Sequence, residues 1–179
     1  MTKFLMALLL GFCLFSCDAP TNKTTNLYDL IPEKSSYILE SENITSFLNE
    51  AEGNDIFSET NIFKNVNSQE IKNYTSLFPA TNSLLSFIKK DSLTYDYLYL
   101  SKQDNDSLVN KPSNDFSIEA ITTKDFSYKK TTIDKSTFYS TFSNGVLIAS
   151  NSLKVLKESI NNDNSKNISS ENFKKSGCS

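Results

Sequence analysis

An asparagine followed by a glycine, Asn144-Gly145, is the feature that most restricts how this 179-residue chain can fold. Both residues tolerate the positive φ angles of a tight hairpin, and β-forming runs stand on each side of the pair, at residues 137–142 and 146–148. The pattern predicts two antiparallel strands joined by a two-residue turn. This part of the chain is therefore expected to belong to an antiparallel sheet.

Further runs with a period of two residues predict the rest of that sheet. A short strand is expected after Ile31-Pro32, because Pro32 fixes the backbone and the apolar residues that follow are bounded by polar ones. Together with this strand at 36–41, the predicted strands are residues 83–89, 93–101, 116–121 and 126–133. The run 93–101 carries apolar residues on both faces, which favours an interior strand.

Three helices are predicted from apolar residues that recur at three- and four-residue intervals. The first begins after Asn43, whose side chain can cap free backbone amides, and it ends at Gly53-Asn54. The second begins after Asn67, with Glu70 placed as in a capping box, and Pro79 stops it. The third follows the last strand, and its predicted buried residues are Leu153, Leu156 and Ile160.

The order of these elements is typical of an α+β domain. We expect an antiparallel β-sheet meander with two N-terminal helices and one C-terminal helix packed on one face. This domain is expected to cover residues 28–165, and residues 166–179 form a tail. Because residues 169–175 look like the start of another helix close to the last residue, we interpret the chain as the N-terminal part of a longer protein or a truncated reading frame.

The N-terminus has the arrangement of a secretion signal. Lys3 supplies a basic tip, an apolar run extends from Phe4 to Phe15, and the small residue Ser16 stands directly before Cys17. The apolar run is too short to cross a bilayer as a helix. The segment Leu14-Phe15-Ser16-Cys17 resembles the lipobox of bacterial lipoproteins. This resemblance implies cleavage before Cys17 and acylation of its sulfur and of its freed amine.

The lipobox divides the N-terminal region into a signal peptide, residues 1–16, and a lipidated flexible tether, residues 17–27. The tether is polar and has no hydrophobic period, so it cannot bury enough surface to fold. Asp18 resembles an inner-membrane retention signal of enteric lipoproteins, whereas other lineages use a run of acids for surface export. With one acid and no run, we expect an anchor in the outer membrane on the periplasmic side, with acylated Cys17 in the lipid bilayer.

Composition excludes several classes of function. The chain has 18 Lys and Arg residues against 21 Asp and Glu, and all 18 are lysines, so the bidentate arginine contacts of nucleic-acid readers are missing. Histidine is absent, which removes Ser-His-Asp and Cys-His nucleophile systems and histidine-ligated zinc. The four glycines lie far apart and form no phosphate-binding loop. We predict no catalytic residues, no cofactor and no nucleic-acid partner.

One segment begins like a calcium-binding loop. Asp104-Asn105-Asp106 supplies oxygens at the first and third positions of such a loop. Leu108 and Val109 then stand where a further oxygen ligand and a glycine are required. We interpret the segment as a solvated loop and predict no metal site.

The strand predicted at 93–101 carries a row of tyrosines. Tyr95, Tyr97 and Tyr99 share one face, and such a row can stack on sugar rings if it faces water. At alternating positions of a strand, packing in the core or across strands is the more common role of such rings. The row is a candidate platform for a glycan or a lipid.

A second resemblance concerns the body of the chain. Leu30-Ile31-Pro32-Glu33-x-Ser35, Asn54-Asp55-Ile56-Phe57 and the stretch from Asn144 to Ser152 occur in an order similar to the N-terminal region of large uncharacterised Gram-negative envelope lipoproteins. This resemblance implies a fold and a location but no activity. We expect a membrane-anchored envelope lipoprotein that is a non-enzymatic structural or protein-interaction module with an envelope protein partner. The alternative is a glycan- or lipid-binding lipoprotein that uses the tyrosine row.

Overall fold

The computed structural model describes residues 25–55, 65–110 and 115–161, which form one antiparallel sheet of seven strands with helices on it. The strands are β1 (Ser35–Ser41), β2 (Ser83–Lys89), β3 (Tyr95–Lys102), β4 (Phe116–Thr122), β5 (Ser127–Ile133), β6 (Ser136–Ser143) and β7 (Val146–Ser150). The helices are α1 (Ile44–Glu52), α2 (Ser68–Thr75) and α3 (Leu153–Asn161), with a 3-10 helix at Leu27–Leu30. The predicted α+β fold class, with two N-terminal helices and one C-terminal helix, is confirmed.

Two meanders share the sheet, whose strand order is β1-β2-β3-β7-β6-β5-β4. The first meander is β1-β2-β3, and the second runs from β4 at the far edge back to β7. β7 pairs antiparallel with β3, from Leu98 opposite Ser150 to Lys102 opposite Val146. β3 therefore lies in the interior of the sheet, as its apolar residues on both faces predict.

The Asn144-Gly145 turn has the predicted conformation. Asn144 and Gly145 have φ angles of 52° and 74°, and the flanking residues Ser143 and Val146 are paired in the β6–β7 ladder. Both angles lie in the left-handed region that the tight hairpin turn requires. This turn places β6 directly beside β7.

Each face of the sheet has its own core. We call the face under α1 and α2 the front face; its core contains Leu48 of α1, Ile71 of α2 and Leu85 of β2. The opposite, back face lies under the 3-10 helix and α3, and Leu84 of β2 packs there with Leu156 of α3. The helices thus lie on both faces, which differs from the expected packing on one face. The reason is that β2 and β3 carry apolar side chains at consecutive positions, so both of their faces need cover.

The predicted helix caps are present. The Asn43 side chain accepts a hydrogen bond from the Ser46 amide at 3.0 Å, and the Asn67 side chain accepts one from the Glu70 amide at 3.2 Å. The Glu70 carboxylate, however, accepts a hydrogen bond from the Tyr97 hydroxyl at 3.0 Å. Glu70 therefore links α2 to the sheet.

The fold begins slightly earlier than predicted. Asn26 caps the 3-10 helix, and Leu27, expected as the last residue of the flexible tether, is 5% exposed in the core of the back face. Burial of the apolar Leu27 side chain is favourable in free energy, whereas the polar residues that precede Leu27 have little apolar surface to bury. The signal peptide, Cys17 and the tail at 166–179 lie outside the described residues. α1, α2 and α3 have nine, eight and nine residues, and in the described ranges no helix has the length and apolarity of a membrane span.

Candidate functional site

The tyrosine row belongs mainly to the core of the front face. Tyr97 and Tyr99 are each 3% exposed, and Tyr95 is partly buried with its ring centroid 6.5 Å from that of Tyr37. Burial, followed by the nearby Glu70 carboxylate, raises the pKa of the Tyr97 hydroxyl. A stacking platform needs exposed rings, so Tyr95, Tyr97 and Tyr99 do not form one.

The outer wing of the sheet, which consists of β4 and β5, has little helical cover. α1 contacts β1 and β2, while α3 contacts β3, β6 and β7. No β4 side chain is buried, and Ile118 is 42% exposed. Within the described ranges no strand pairs with the outer edge of β4, so the backbone N–H and C=O groups of this edge are open. Such an edge is a template for an added strand.

A groove lies on the front face of the outer wing. We call it the front groove; it has a volume of about 340 Å³, within the range of small-molecule sites. β4, β5, β6, β7, the segment after α2 and the β3–β4 connection all contribute to it. Its apolar walls are Phe78, Leu108, Ile118, Phe142 and Leu147.

The floor of the front groove is polar. Lys129 of β5 is opposite Ser140 of β6 and opposite Ala120 of β4, so the three residues form a row across the wing. Lys129 Nζ lies 2.5 Å from Asp106 Oδ2, and these side chains are 42% and 37% exposed. At this exposure the ion pair contributes at most about 1 kcal/mol to stability. Lys129 and Asp106 therefore form a surface ion pair that lines the groove and is not part of the core.

Tyr74 of α2 lies in the core of the front face. Its ring stacks on Phe138 with centroids 4.2 Å apart, and its oxygen is buried without a hydrogen-bond partner. Burial raises the pKa of Tyr74, the nearby Ser140 hydroxyl acts in the opposite direction, and electrostatic repulsion from Tyr99 and Asp106 raises it further. Tyr74 itself is not among the residues that line the front groove.

The calcium-like segment is tied to this groove. Asn105 accepts a hydrogen bond from the Ser107 amide at 2.9 Å, which is a local turn, and Asp106 binds Lys129. In the described part of the chain, no group of three or more His, Cys, Asp or Glu residues has an arrangement that suits a metal ion. Asp106 therefore acts as the partner of a lysine.

A larger cavity, of about 460 Å³, lies at the end of the sheet beside the Asn144-Gly145 turn. Loop residues form most of it, including Thr81 and Gln103, and it extends to Thr25, the first described residue. The buried Gln103 Oε1 has no hydrogen-bond partner. Because this cavity lies at the limit of the described residues, we base no site on it.

The residues of the front groove were missed by the sequence analysis. The alternation of Phe116, Ile118 and Ala120 did predict β4, but nothing local indicates that β4 lies at an edge or that Lys129 lies on the front face of the sheet. Only the strand order brings these residues together. The one available sign of this groove in the sequence was Lys129, a lysine in a strand that also contains serine and threonines.

Comparisons with protein-family models, with curated proteins and with solved structures give no match for this chain.

Proposed function

We propose that this protein is a lipid-anchored envelope lipoprotein whose domain is a non-enzymatic structural or protein-interaction module. The anchor rests on the sequence Leu14-Phe15-Ser16-Cys17, the short apolar run before it and the basic residue Lys3. Two or more acyl chains on one residue hold a protein stably on a bilayer, since each buried methylene contributes about 0.8 kcal/mol. The bilayer reached through Cys17 is the proposed first partner.

The outer membrane, with the domain in the periplasm, is the proposed location. The segment after Cys17 contains the single acid Asp18 and no acidic run of the kind that directs surface export. This assignment rests on the resemblance of the segment to lipoprotein sorting signals.

The observation that carries the interaction role is the open outer wing. β4 has an unpaired outer edge in the described structure, and the exposed side chains of Ile118 and Ala120 stand beside it. Exposed sheet edges with apolar neighbours recruit a strand from a partner, because the backbone hydrogen bonds give affinity and the side chains give specificity. An envelope protein that adds a strand to β4 is therefore the proposed protein partner.

A chemical role is not part of the proposal. The chain has no histidine, and the described carboxylates with perturbed pKa values, Glu52 and Asp91, are at the surface. The pKa of Glu52 is lowered by Lys72 and Ser68, and that of Asp91 by Thr94 and the Leu93 amide. Each of these carboxylates belongs to a local hydrogen-bonded cluster of a kind that is common on protein surfaces.

Photocrosslinking in the native envelope tests the interaction role. A photoreactive amino acid replaces Ile118 in one variant and Leu93 in a matched control, because Leu93 is 66% exposed but lies in the loop between β2 and β3. We expect an adduct of protein size at position 118 and none at position 93. No adduct at 118, or equal adducts at both positions, would contradict the proposal.

A further inference from the structure

We propose that the strand added to β4 is the β4 strand of a second copy of this chain, so that two anchored copies join their sheets edge to edge. This inference rests on the proposed function, because it names the partner of the open edge. The two strands pair antiparallel, with Ile118 of one copy opposite Ile118 of the other. The product is one continuous antiparallel sheet with a two-fold axis between the two copies.

β4 lacks the features that keep sheet edges from pairing. Natural edge strands are commonly protected by lysine, by proline or by a β-bulge. The segment Phe116–Thr122 contains neither lysine nor proline, and it pairs with β5 without a register shift. β1, at the other edge of the described sheet, has a register shift between Ser35 and Tyr37 in its pairing with β2. β4 is therefore the edge better suited to receive a strand.

The sequence of β4 is complementary to itself in an antiparallel pair. With Ile118 at the axis, Phe116 lies opposite Ala120 of the second copy, and Ser117 lies opposite Glu119 of the second copy. The apolar pairs lie on the front face, and because Ile118 is 42% exposed in the single copy, pairing removes apolar surface from water. On the back face, each Ser117 hydroxyl can donate to a Glu119 carboxylate.

Charge decides between this register and its neighbour. Glu119 is the one charged residue of β4. If Glu119 were at the axis, two carboxylates would lie directly opposite each other, which is unfavourable. In the proposed register each Glu119 lies between Lys130 of its own β5 and Ser117 of the second copy. Glu119 therefore favours the register with Ile118 at the axis.

This pairing suits two copies that are anchored in one bilayer. Residues opposite each other in an antiparallel pair share a face, so the front faces of both copies lie on the same side of the joined sheet. The chain enters each domain on the back face, where Leu27 of the 3-10 helix is part of the core. Both tethers therefore start from the same side of the pair and can reach one membrane.

The anchor also makes a small interface sufficient. A standard stable interface uses roughly 20–30 residues on each side, whereas β4 has seven. Anchors confine all copies to one thin layer, and the raised effective concentration favours pairing without any further contact. We therefore expect anchored copies to pair more completely than copies in dilute solution.

Disulfide formation in the native membrane tests the pairing. The variant Ile118→Cys is made together with Cys178→Ser, so that Cys178 cannot contribute. Opposite residues of an antiparallel pair have Cα atoms about 4.5–5.5 Å apart, which is within the range of a disulfide. After oxidation with copper phenanthroline, we expect most of the chain at twice its mass, and a reductant should restore the single chain. Absence of this product would overturn the proposal.

Two further cysteine variants in the same background are matched controls. Ala120→Cys lies on the same face of the same strand, but in the proposed register its two copies are about 13 Å apart along the strands. Leu93→Cys, at a side chain that is 66% exposed in the loop between β2 and β3, reports random collisions. Each should give about tenfold less product than Ile118→Cys. As much product from either control would show that the proposed pair does not exist.

A charge at the axis should separate the two copies. Ile118→Lys places two ammonium groups opposite each other and removes the apolar pair. When copies with two different tags are produced together, this variant should lower their co-purification from solubilised membranes about tenfold. Leu93→Lys should leave it at the wild-type level. Equal co-purification of the two lysine variants would contradict the pairing through β4.

Photocrosslinking at Ile118 distinguishes this inference from the proposed function on which it rests. An adduct at twice the mass of the chain, together with the disulfide-linked pair, supports both. An adduct with a different protein, without the disulfide-linked pair, keeps the interaction role but overturns the second copy as the partner. If neither an adduct nor a disulfide-linked pair forms, both are overturned.

Discussion

The hydroxyl of Tyr28 donates a hydrogen bond of 2.8 Å to the Glu40 carboxylate and so fastens the 3-10 helix to β1. Burial, followed by this carboxylate, raises the pKa of Tyr28 to about 12. The folded protein therefore binds this proton more tightly than the unfolded chain, in which tyrosine titrates near pH 10. The contribution of Tyr28 to stability is fully present below pH 10 and is lost as the pH rises to about 12.

Tyr28→Phe should accordingly flatten the fall of the free energy of unfolding between pH 10 and 12. Urea unfolding at a series of pH values measures that fall in the wild type and in the variant. Tyr37→Phe, at a ring that is 47% exposed, is the matched control and should keep the wild-type slope. A slope in the Tyr28 variant as steep as in the wild type would show that the proton on Tyr28 does not stabilise the fold.

At the scale of elements, Gly53 ends α1 and Gly145 lies in the turn between β6 and β7, and the two glycines differ in backbone conformation. Gly145 has a φ of +74° in the β6–β7 turn, whereas Gly53 caps α1 with a φ of −81°. A Cβ atom added at Gly145 would lie 3.8 Å from its nearest neighbouring atom, and one added at Gly53 would lie 3.7 Å from its own. Both are ordinary van der Waals distances. Only the backbone conformation distinguishes them, because a side chain is strained in the left-handed region.

Gly145→Ala should therefore lower the free energy of unfolding by about 1 kcal/mol. Gly53→Ala should change it by less than about 0.5 kcal/mol, or raise it slightly, since alanine restricts the unfolded chain. Chemical denaturation of both variants measures the difference. Equal effects would mean that the left-handed conformation of Gly145 matters no more to the free energy of unfolding than the end of α1 does.

The elements that could be predicted are those whose signals are local. Asn43 and Asn67 mark helix starts within three residues of the amides that they cap, and Asn144-Gly145 fixes a turn within the same distance. The boundaries of β2 match the prediction, because a run of apolar residues ends at charged ones. The helix α3 buries Leu156 as predicted and also Val155, whereas Leu153 and Ile160, which were predicted to be buried, are only partly so.

What could not be predicted depends on contacts distant in sequence. The position of β7 beside β3, rather than at the end of a single meander, follows from which strand edges remain free after both meanders form. The same order decides that Tyr97 and Tyr99 are covered by α1 and α2 and that Lys129 is not. The front groove therefore had no local signal, although each of its strands did.

At the scale of the whole molecule, the proposal joins an anchor, a short spacer and a folded domain with an open wing. Residues 17–25, fully extended, span at most about 30 Å, so the proposed anchor holds the start of the domain close to the membrane surface. The net charge of −3 gives the chain a mildly acidic character, which offers no attraction to an anionic lipid surface. Binding to the bilayer is therefore assigned to the acyl chains alone.

Intact and peptide mass spectrometry of the protein isolated from its native membranes tests the anchor most directly. The account predicts a mature chain whose first residue is Cys17, with a diacylglyceryl group on the sulfur and a further acyl chain on the amine. Cys17→Ala should leave a soluble or unprocessed chain without these masses. A mature N-terminus at any other residue, or an unmodified thiol at Cys17, would contradict the account.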